Sequence, residues 1–260
     1  MSEDYHILDC SFGKDSMAML KLCAEREREY PIDEVIYIKI SYDEGRSAEY
    51  PAHYKFIQEV GIPYITDTLG LKYRELIPKS TFKDLFIKQF QKGTYTGKYY
   101  GFPQRHCVKC NSELKIMTLK KYHAELKNKD LKAVHYVGIA ADEPKRVLRG
   151  KKTGYIMPLN ELHISERDAL RICKDNNILS PLYEYDFFNR VGCLFCPNCT
   201  IPQLRYLYQT SPELMRDLAE LDKYSPFKFH PPYTATQLLR KFEAEAREQT
   251  KLSQFCECAE

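Results

Sequence analysis

YHILDCSFGKDSMAMLKLCAEREREY, residues 5–30, is the stretch from which the fold can be read. Tyr5 to Cys10 is a short, largely apolar run and reads as a buried strand. From Asp15 or Ser16 the chain reads as a helix, with Met17, Leu20 and Leu22 at roughly helical spacing, and Pro31 ends it. Between the two lies Ser11-Phe12-Gly13-Lys14-Asp15-Ser16. A helix N-terminus presents unpaired amide N–H groups and a partial positive charge, so a loop at this place holds an anion. Gly13 lets the backbone approach closely, Ser11 and Ser16 carry donor hydroxyls, and Lys14 adds a charge. The glycine spacing is not that of a Walker loop. The plainer reading is a polar turn that caps a helix.

Outward from this loop the pattern continues. Glu34 to Ile40 is a second strand, Ser47 to Val60 a helix punctuated by Gly61 and Pro63, and Pro63 to Asp67 a third strand. Strand–helix–strand–helix–strand implies an α/β domain with a parallel sheet and right-handed crossovers. Phe82, Phe86 and Phe90 lie four apart, on one helical face. A Gly/Tyr-rich loop follows over 93–102, then a helix over 113–126 and a strand over 133–139. Ser165 caps a helix through Cys173, a cysteine knuckle spans 193–199, Pro212 opens a late helix, and 236–249 is a final amphipathic one. The expected organisation is a nucleotide-binding domain with its cysteine cluster over 1–200 and a helical C-terminal extension over 201–260.

The chain has 260 residues, 43% of them hydrophobic and 29% charged, within the range of ordinary globular proteins. No run approaches the roughly 18 apolar residues a membrane span needs, and the N-terminus has no secretory pattern. The expected compartment is therefore the reducing cytoplasm, where the ten cysteines are disfavoured as disulfides. Cys107-x-x-Cys110 and Cys193-x-x-Cys196 are two chelating turns, and four thiolates suit Zn²⁺ or [4Fe–4S]. Cys199 extends the second turn and competes for a ligand position or carries sulfur freely. Cys10, Cys23 and Cys173 read as core residues. Cys256 and Cys258 read as spare thiols on a tail.

The net charge of +3 hides an uneven distribution. Residues 79–121 hold ten Lys/Arg and two Asp/Glu, and 145–152 add five basic residues and no acidic one. A localised positive field implies an anionic partner, the plainer reading being a solvated lysine face. Phe82, Tyr95, Tyr99, Tyr100 and Phe102 interleave with the first set of lysines, a combination that holds single-stranded nucleic acid or simply builds core and rim.

The 11–16 loop resembles the PP-loop of the ATP pyrophosphatase superfamily, usually Ser-Gly-Gly-Lys-Asp-Ser, with Phe12 in place of its first glycine. More of the chain resembles one branch, the phosphoadenosine-phosphosulfate reductase-like family. The matching segments are Val137-Gly138-Ile139 with Ala140 to Arg146, Arg105-His106-Cys107 with Leu114-Lys115, Met157-Pro158-Leu159, Ser180-Pro181-Leu182-Tyr183, and Arg190 to Pro197. That resemblance spans roughly residues 5 to 200. It implies binding of ATP or another adenine nucleotide by Ser11, Phe12, Gly13, Lys14, Asp15 and Ser16, with a further contact from Asp43. It implies catalytic roles for Lys14, Asp15 and Arg146, with Asp15 holding Mg²⁺ and Arg146 reaching the phosphates. It favours [4Fe–4S] over Zn²⁺ at Cys107, Cys110, Cys193 and Cys196.

Family members that cleave ATP keep the loop lysine, and Lys14 is present. The leading expectation is an enzyme that cleaves ATP to AMP and pyrophosphate, activating a substrate for sulfur transfer from a donor protein, nucleic acid being one such substrate. A thioredoxin-dependent sulfonucleotide reductase and a non-catalytic nucleotide-binding subunit are the alternatives.

Overall fold

The computed structural model describes residues 2–105 and 109–257, with side chains to residue 249. Strand β1 (Glu3–Asp9) leads into helix α1 (Lys14–Ala24). Strand β2 (Glu34–Ile38) follows, then a small antiparallel pair, β3 (Ser41–Asp43) and β4 (Arg46–Ser47). Helix α2 (Pro51–Phe56) continues through wide π-type turns at Ile57–Gly61 and Tyr64–Thr68 before strand β5 (Tyr73–Leu76). Helices α3 (Phe82–Ile87) and α4 (Met117–Lys127) precede strand β6 (Leu131–Val137). Six further α-helices, with a 3₁₀ turn at Pro181–Glu184 between the third and fourth, complete the described chain: α5 (Pro144–Thr153), α6 (Pro158–Glu161), α7 (Glu166–Asp175), α8 (Ile201–Thr210), α9 (Pro212–Leu221) and α10 (Ala235–Glu257).

The central sheet runs β5-β2-β1-β6, and all three pairings are parallel. Both faces are covered, as a parallel sheet requires. Leu8 points to the α1 and α7 side with Met17, Leu20, Ala169 and Cys173, while Ile7 points to the α4 side with Tyr122 and Leu126. Because β2 and β6 flank β1 on opposite sides, the chain reverses its winding there. The carboxyl ends of strands at such a reversal form a crevice. A third apolar core joins Tyr42, Phe82, Phe86 and Phe102 to Leu204, Leu207, Met215, Leu218 and Phe242. The helices beyond residue 200 therefore pack on the segment between β3 and residue 102. Among the described residues no helix is long and apolar enough to cross a membrane.

One expected element is corrected. Pro63 to Asp67 is not a strand: the helical path runs on to Thr68, and the third large-sheet strand in sequence is β5. Ile62, Ile65 and Leu69 recur at helical spacing and pack together in the core, and that burial overrides the punctuation by Gly61 and Pro63. Gly61 is a packing gap instead. A β-carbon there would lie 2.5 Å from the Phe12 ring. Phe90, expected on one face with Phe82 and Phe86, lies beyond the end of α3 and packs on Tyr95, Tyr100 and Phe227.

Candidate functional site

The 11–16 loop is shaped from within. Phe12 adopts φ +56°, the left-handed region that favours glycine. Its ring is fully buried against Tyr37 and Tyr73, with centroids at 5.1 and 6.2 Å. Phe12 therefore anchors the loop to the core and offers its side chain to no ligand. The Ser16 hydroxyl accepts from Ser11 N–H at 3.2 Å and lies 3.0 Å from the Gly13 carbonyl, so it closes the turn. Gly13 begins α1 without a side-chain cap. The Lys14 N–H donates to the Tyr183 hydroxyl at 3.2 Å, and the Cys173 thiol donates to the Lys14 carbonyl at 3.1 Å. A β-carbon at Gly138 would sit 3.0 Å from the backbone of Asp15 and Ser16, so the end of β6 abuts the start of α1.

In front of the loop, across the carboxyl ends of β1 and β2, opens a cavity of about 690 Å³. Ser11, Lys14, Asp15 and Arg146 line it, with Glu143 and Glu166 beside them. Lys14 Nζ lies 3.0 Å from Asp15 and 3.5 Å from Glu166, and the lysine side chain is 8% exposed. Ser165 and Asp168 form a capping box that starts α7 and sets Glu166 in its first turn. Arg146 Nη1 pairs with Glu143 at 2.6 Å. Burial holds the Asp15 carboxyl above its ordinary range, against the lowering influence of Lys14. Lysine and arginine charges here are held by carboxylates, which leaves them within reach of a phosphate or of a cation that brings one.

The same cavity is lined by Cys110, Cys193 and Cys196. Burial pushes the Cys110 thiol up to about 11, and Cys196 adds to the effect. Cys193 is driven well above the ordinary thiol range by burial, then by the nearby Glu49 charge. Arg190 Nη2 is 3.3 Å from Cys196 Sγ. Glu49 pairs through its backbone with Cys193, accepts from the Tyr37 hydroxyl at 3.3 Å, and leaves Oε2 buried without a partner. Burial raises the Glu49 carboxyl above its ordinary range. Among the described residues no three His, Cys, Asp or Glu side chains are arranged to hold a metal ion. Cys107 and the Cys258 end of the tail lie outside the described residues, and so does the side chain of Cys256. Cys199 does not line the cavity. Its buried thiol lies 3.6 Å from the Tyr50 hydroxyl and 3.6 Å from the Cys193 carbonyl, which makes it part of the knuckle's packing.

Asp43 also lies apart from the cavity lining. Arg46 binds it at 2.5 Å and Lys83 at 3.1 Å, and Arg46 ties it on to Asp217 at 2.6 Å. Those guanidinium and ammonium bonds hold the Asp43 carboxyl below its ordinary range. Its place in a β-ribbon clamped to α9 explains its charge without a nucleotide. Phe82 and Phe102 are core residues too, Phe82 stacking on Phe195 with centroids 3.6 Å apart. Only Tyr95 of the interleaved aromatics is an exposed large side chain. On the basic segments Lys83 and Lys88 are paired with Asp43 and Glu113, whereas Lys145, Arg149, Lys151 and Lys152 of α5 form no ion pair among the described residues. Asp9, Glu49, Lys115, Glu166 and Arg190 line the cavity without having been singled out by the sequence. Lys115 and Arg190 lie within segments that carry the family resemblance; Glu49 and Glu166 give no signal, since a lone glutamate at a helix start reads as a cap.

No family model and no curated protein matches the chain. Among solved structures it is similar to the U34-tRNA thiolase NcsA from Methanococcus maripaludis with its [4Fe–4S] cluster, at 15% identity and a TM-score of 0.42, over 93% of this chain and 71% of that one.

Proposed function

We propose that the chain is an ATP-cleaving enzyme that activates an acceptor for sulfur transfer. The observation that carries this reading is one cavity lined both by the anion-binding loop, with Lys14 and Arg146, and by three thiols. In the first step an acceptor oxygen attacks the α-phosphorus of ATP. The bond to the β-phosphate breaks, and pyrophosphate leaves with its electron pair. In the second, sulfur attacks the activated atom, and AMP leaves with the acceptor oxygen. The amide groups at the start of α1 and Lys14 would bind phosphate oxygens, and Asp15 would hold the Mg²⁺ that accompanies them. Arg146, released from Glu143, would meet the charge that develops on the leaving group.

Cys107, Cys110, Cys193 and Cys196 would hold a metal centre, [4Fe–4S] in this reading with Zn²⁺ as its rival. All-thiolate donor sets suit either. Cys110, Cys193 and Cys196 line the same cavity but are not arranged to hold a metal as they stand, so binding would require them to draw together with Cys107. When bound, an iron–sulfur centre supplies sites that handle inorganic sulfur. The raised thiol ranges of Cys110 and Cys193 mean that each must lose a proton to become a ligand. The unpaired cations of α5, next to Arg146 at the cavity, support nucleic acid as the acceptor.

The test uses the full chain purified without oxygen, supplied with ATP labelled at the α-phosphate, sulfide and bulk cellular RNA. AMP with pyrophosphate is the expected product pair. ADP with orthophosphate, or no consumption of ATP, would count against the reading.

A further inference from the structure

Behind the cavity runs a chain of three side chains that the chemistry above does not use. Asp9 ends β1 and lines the cavity. Its Oδ1 lies 3.0 Å from His135 Nδ1 on β6, and His135 Nε2 lies 2.7 Å from His123 Nε2 on α4. His135 is 5% exposed, whereas His123 is half-buried and its Nδ1 has no hydrogen-bond partner among the described residues. With Asp9 ionised the proton positions are forced. The carboxylate only accepts, so His135 carries its proton on Nδ1 and has a lone pair on Nε2. His123 must then donate from Nε2. Both rings are neutral in this state, and the three residues together carry one negative charge.

This unit has room for one more proton. It enters at His123 Nδ1, the ring nitrogen without a partner, and His123 keeps its Nε2 donation to His135. A second proton would set two N–H groups head to head at 2.7 Å, so it is excluded. Burial, then the neighbouring His135, lowers the proton affinity of His123, and Asp9 raises it. The other titratable groups facing the pair are Tyr122 beside His123 and Tyr155 against His135, with ring centroids at 6.4 and 6.1 Å. Asp9 is the charged one among them.

The cavity wall presents Asp9, Asp15, Glu49, Glu143 and Glu166 against Lys14, Lys115, Arg146 and Arg190. A polyphosphate that enters adds negative charge to a wall already rich in carboxylates. We propose that Asp9, His135 and His123 form a single proton-binding site that loads when a polyphosphate binds, offsetting the charge of Asp9 beside it. This rests on the nucleotide reading of the cavity. By linkage, an anion that raises the proton affinity of the pair takes up a proton as it binds, and it binds more tightly as pH falls through the range in which the pair loads.

The experiment is calorimetric titration of the full chain with Mg·ATP near pH 7, in buffers of different ionisation heat. These give the number of protons taken up per nucleotide. The parent should take up a substantial fraction of one proton. His123→Gln, which keeps a donor toward His135, and Asp9→Asn should take up none, with binding retained. Binding by the parent without uptake, or equal uptake by His123→Gln, would overturn the proposal. Ring-nitrogen NMR of the ligand-free protein supplies an independent arm: the pair should gain one proton in total on acidification, and two separate protonations would overturn the shared site. Failure of the parent to bind any nucleotide would instead contradict the nucleotide reading, and the ring-nitrogen result would then decide the site alone.

Discussion

Phe12 sits in a backbone region that costs a residue with a β-carbon roughly 1–3 kcal/mol, and its ring repays that by full burial under Gly61. A glycine at this position would relax the turn and lose the anchor. Phe12→Gly is therefore expected to destabilise the chain by about 2–4 kcal/mol, since ring removal outweighs relief of strain. Urea midpoints of parent and variant check it, and an unchanged midpoint would mean that the ring contributes nothing. Lys14 acts at the same scale. Lys14→Ala should weaken ATP binding about 10-fold to 100-fold, the worth of one charge-assisted contact, with the far-ultraviolet spectrum unchanged. Equal affinity in both proteins would remove Lys14 from the site.

His53, buried beside Ser180 at 2.9 Å, is a third residue with a measurable signature. Burial lowers it from 6.5 to about 4. The folded chain thus resists a proton that the unfolded chain accepts, so stability is full above about pH 6.5 and declines as pH falls toward about 4. The loss should approach about 3 kcal/mol, and His53→Asn should flatten it. Denaturant titrations at both ends of that window read the difference.

Elements carry the next level. The start of α1 is held between the end of β6 and α7, by the close approach of Gly138 and by the Cys173 thiol on the Lys14 carbonyl. Gly138→Ala would push a methyl group to 3.0 Å from the Asp15 and Ser16 backbone, which must shift. The expected result is a loss in nucleotide affinity larger than the loss in stability, read by calorimetry and thermal melting on the same samples. At this scale the sequence was informative where periodicity was long. β1, α1, β2 and α7 follow from apolar spacing and caps. The helical path beyond Gly61, from Pro63 to Thr68, does not, because Gly61 and Pro63 read as breakers until Phe12 is seen to need the space above Gly61. The surroundings of Asp43 are not legible either, because its partners Lys83 and Asp217-bound Arg46 come together only in the folded chain.

For the whole molecule, the cavity gathers residues from β1, β2, α1, α5 and α7 together with the cysteine knuckle, and the loop was legible whereas its far wall was not. Residues 11–16 announce themselves as a contiguous stretch. Glu49 and Glu166 reach the same space from distant segments, and nothing local marks them. The unpaired cations of α5 make a further expectation. Binding of a single-stranded RNA should weaken steeply with salt, because phosphate contacts release counterions, and Lys145→Glu with Arg149→Glu should flatten that slope. Salt-independent binding would exclude α5 as the contact.

The central claim is that one cavity brings adenine-nucleotide phosphates to the 11–16 loop beside the cysteine wall. It is tested most directly by a crystal structure of the anaerobically purified chain with an ATP analogue that resists cleavage between its α- and β-phosphates. The account expects the phosphates against the amides of Gly13 to Ser16, within hydrogen-bond reach of Lys14, and with the α-phosphate turned toward Cys110, Cys193 and Cys196. Phosphates seated instead on the basic surface of α5, with the loop empty, would contradict it.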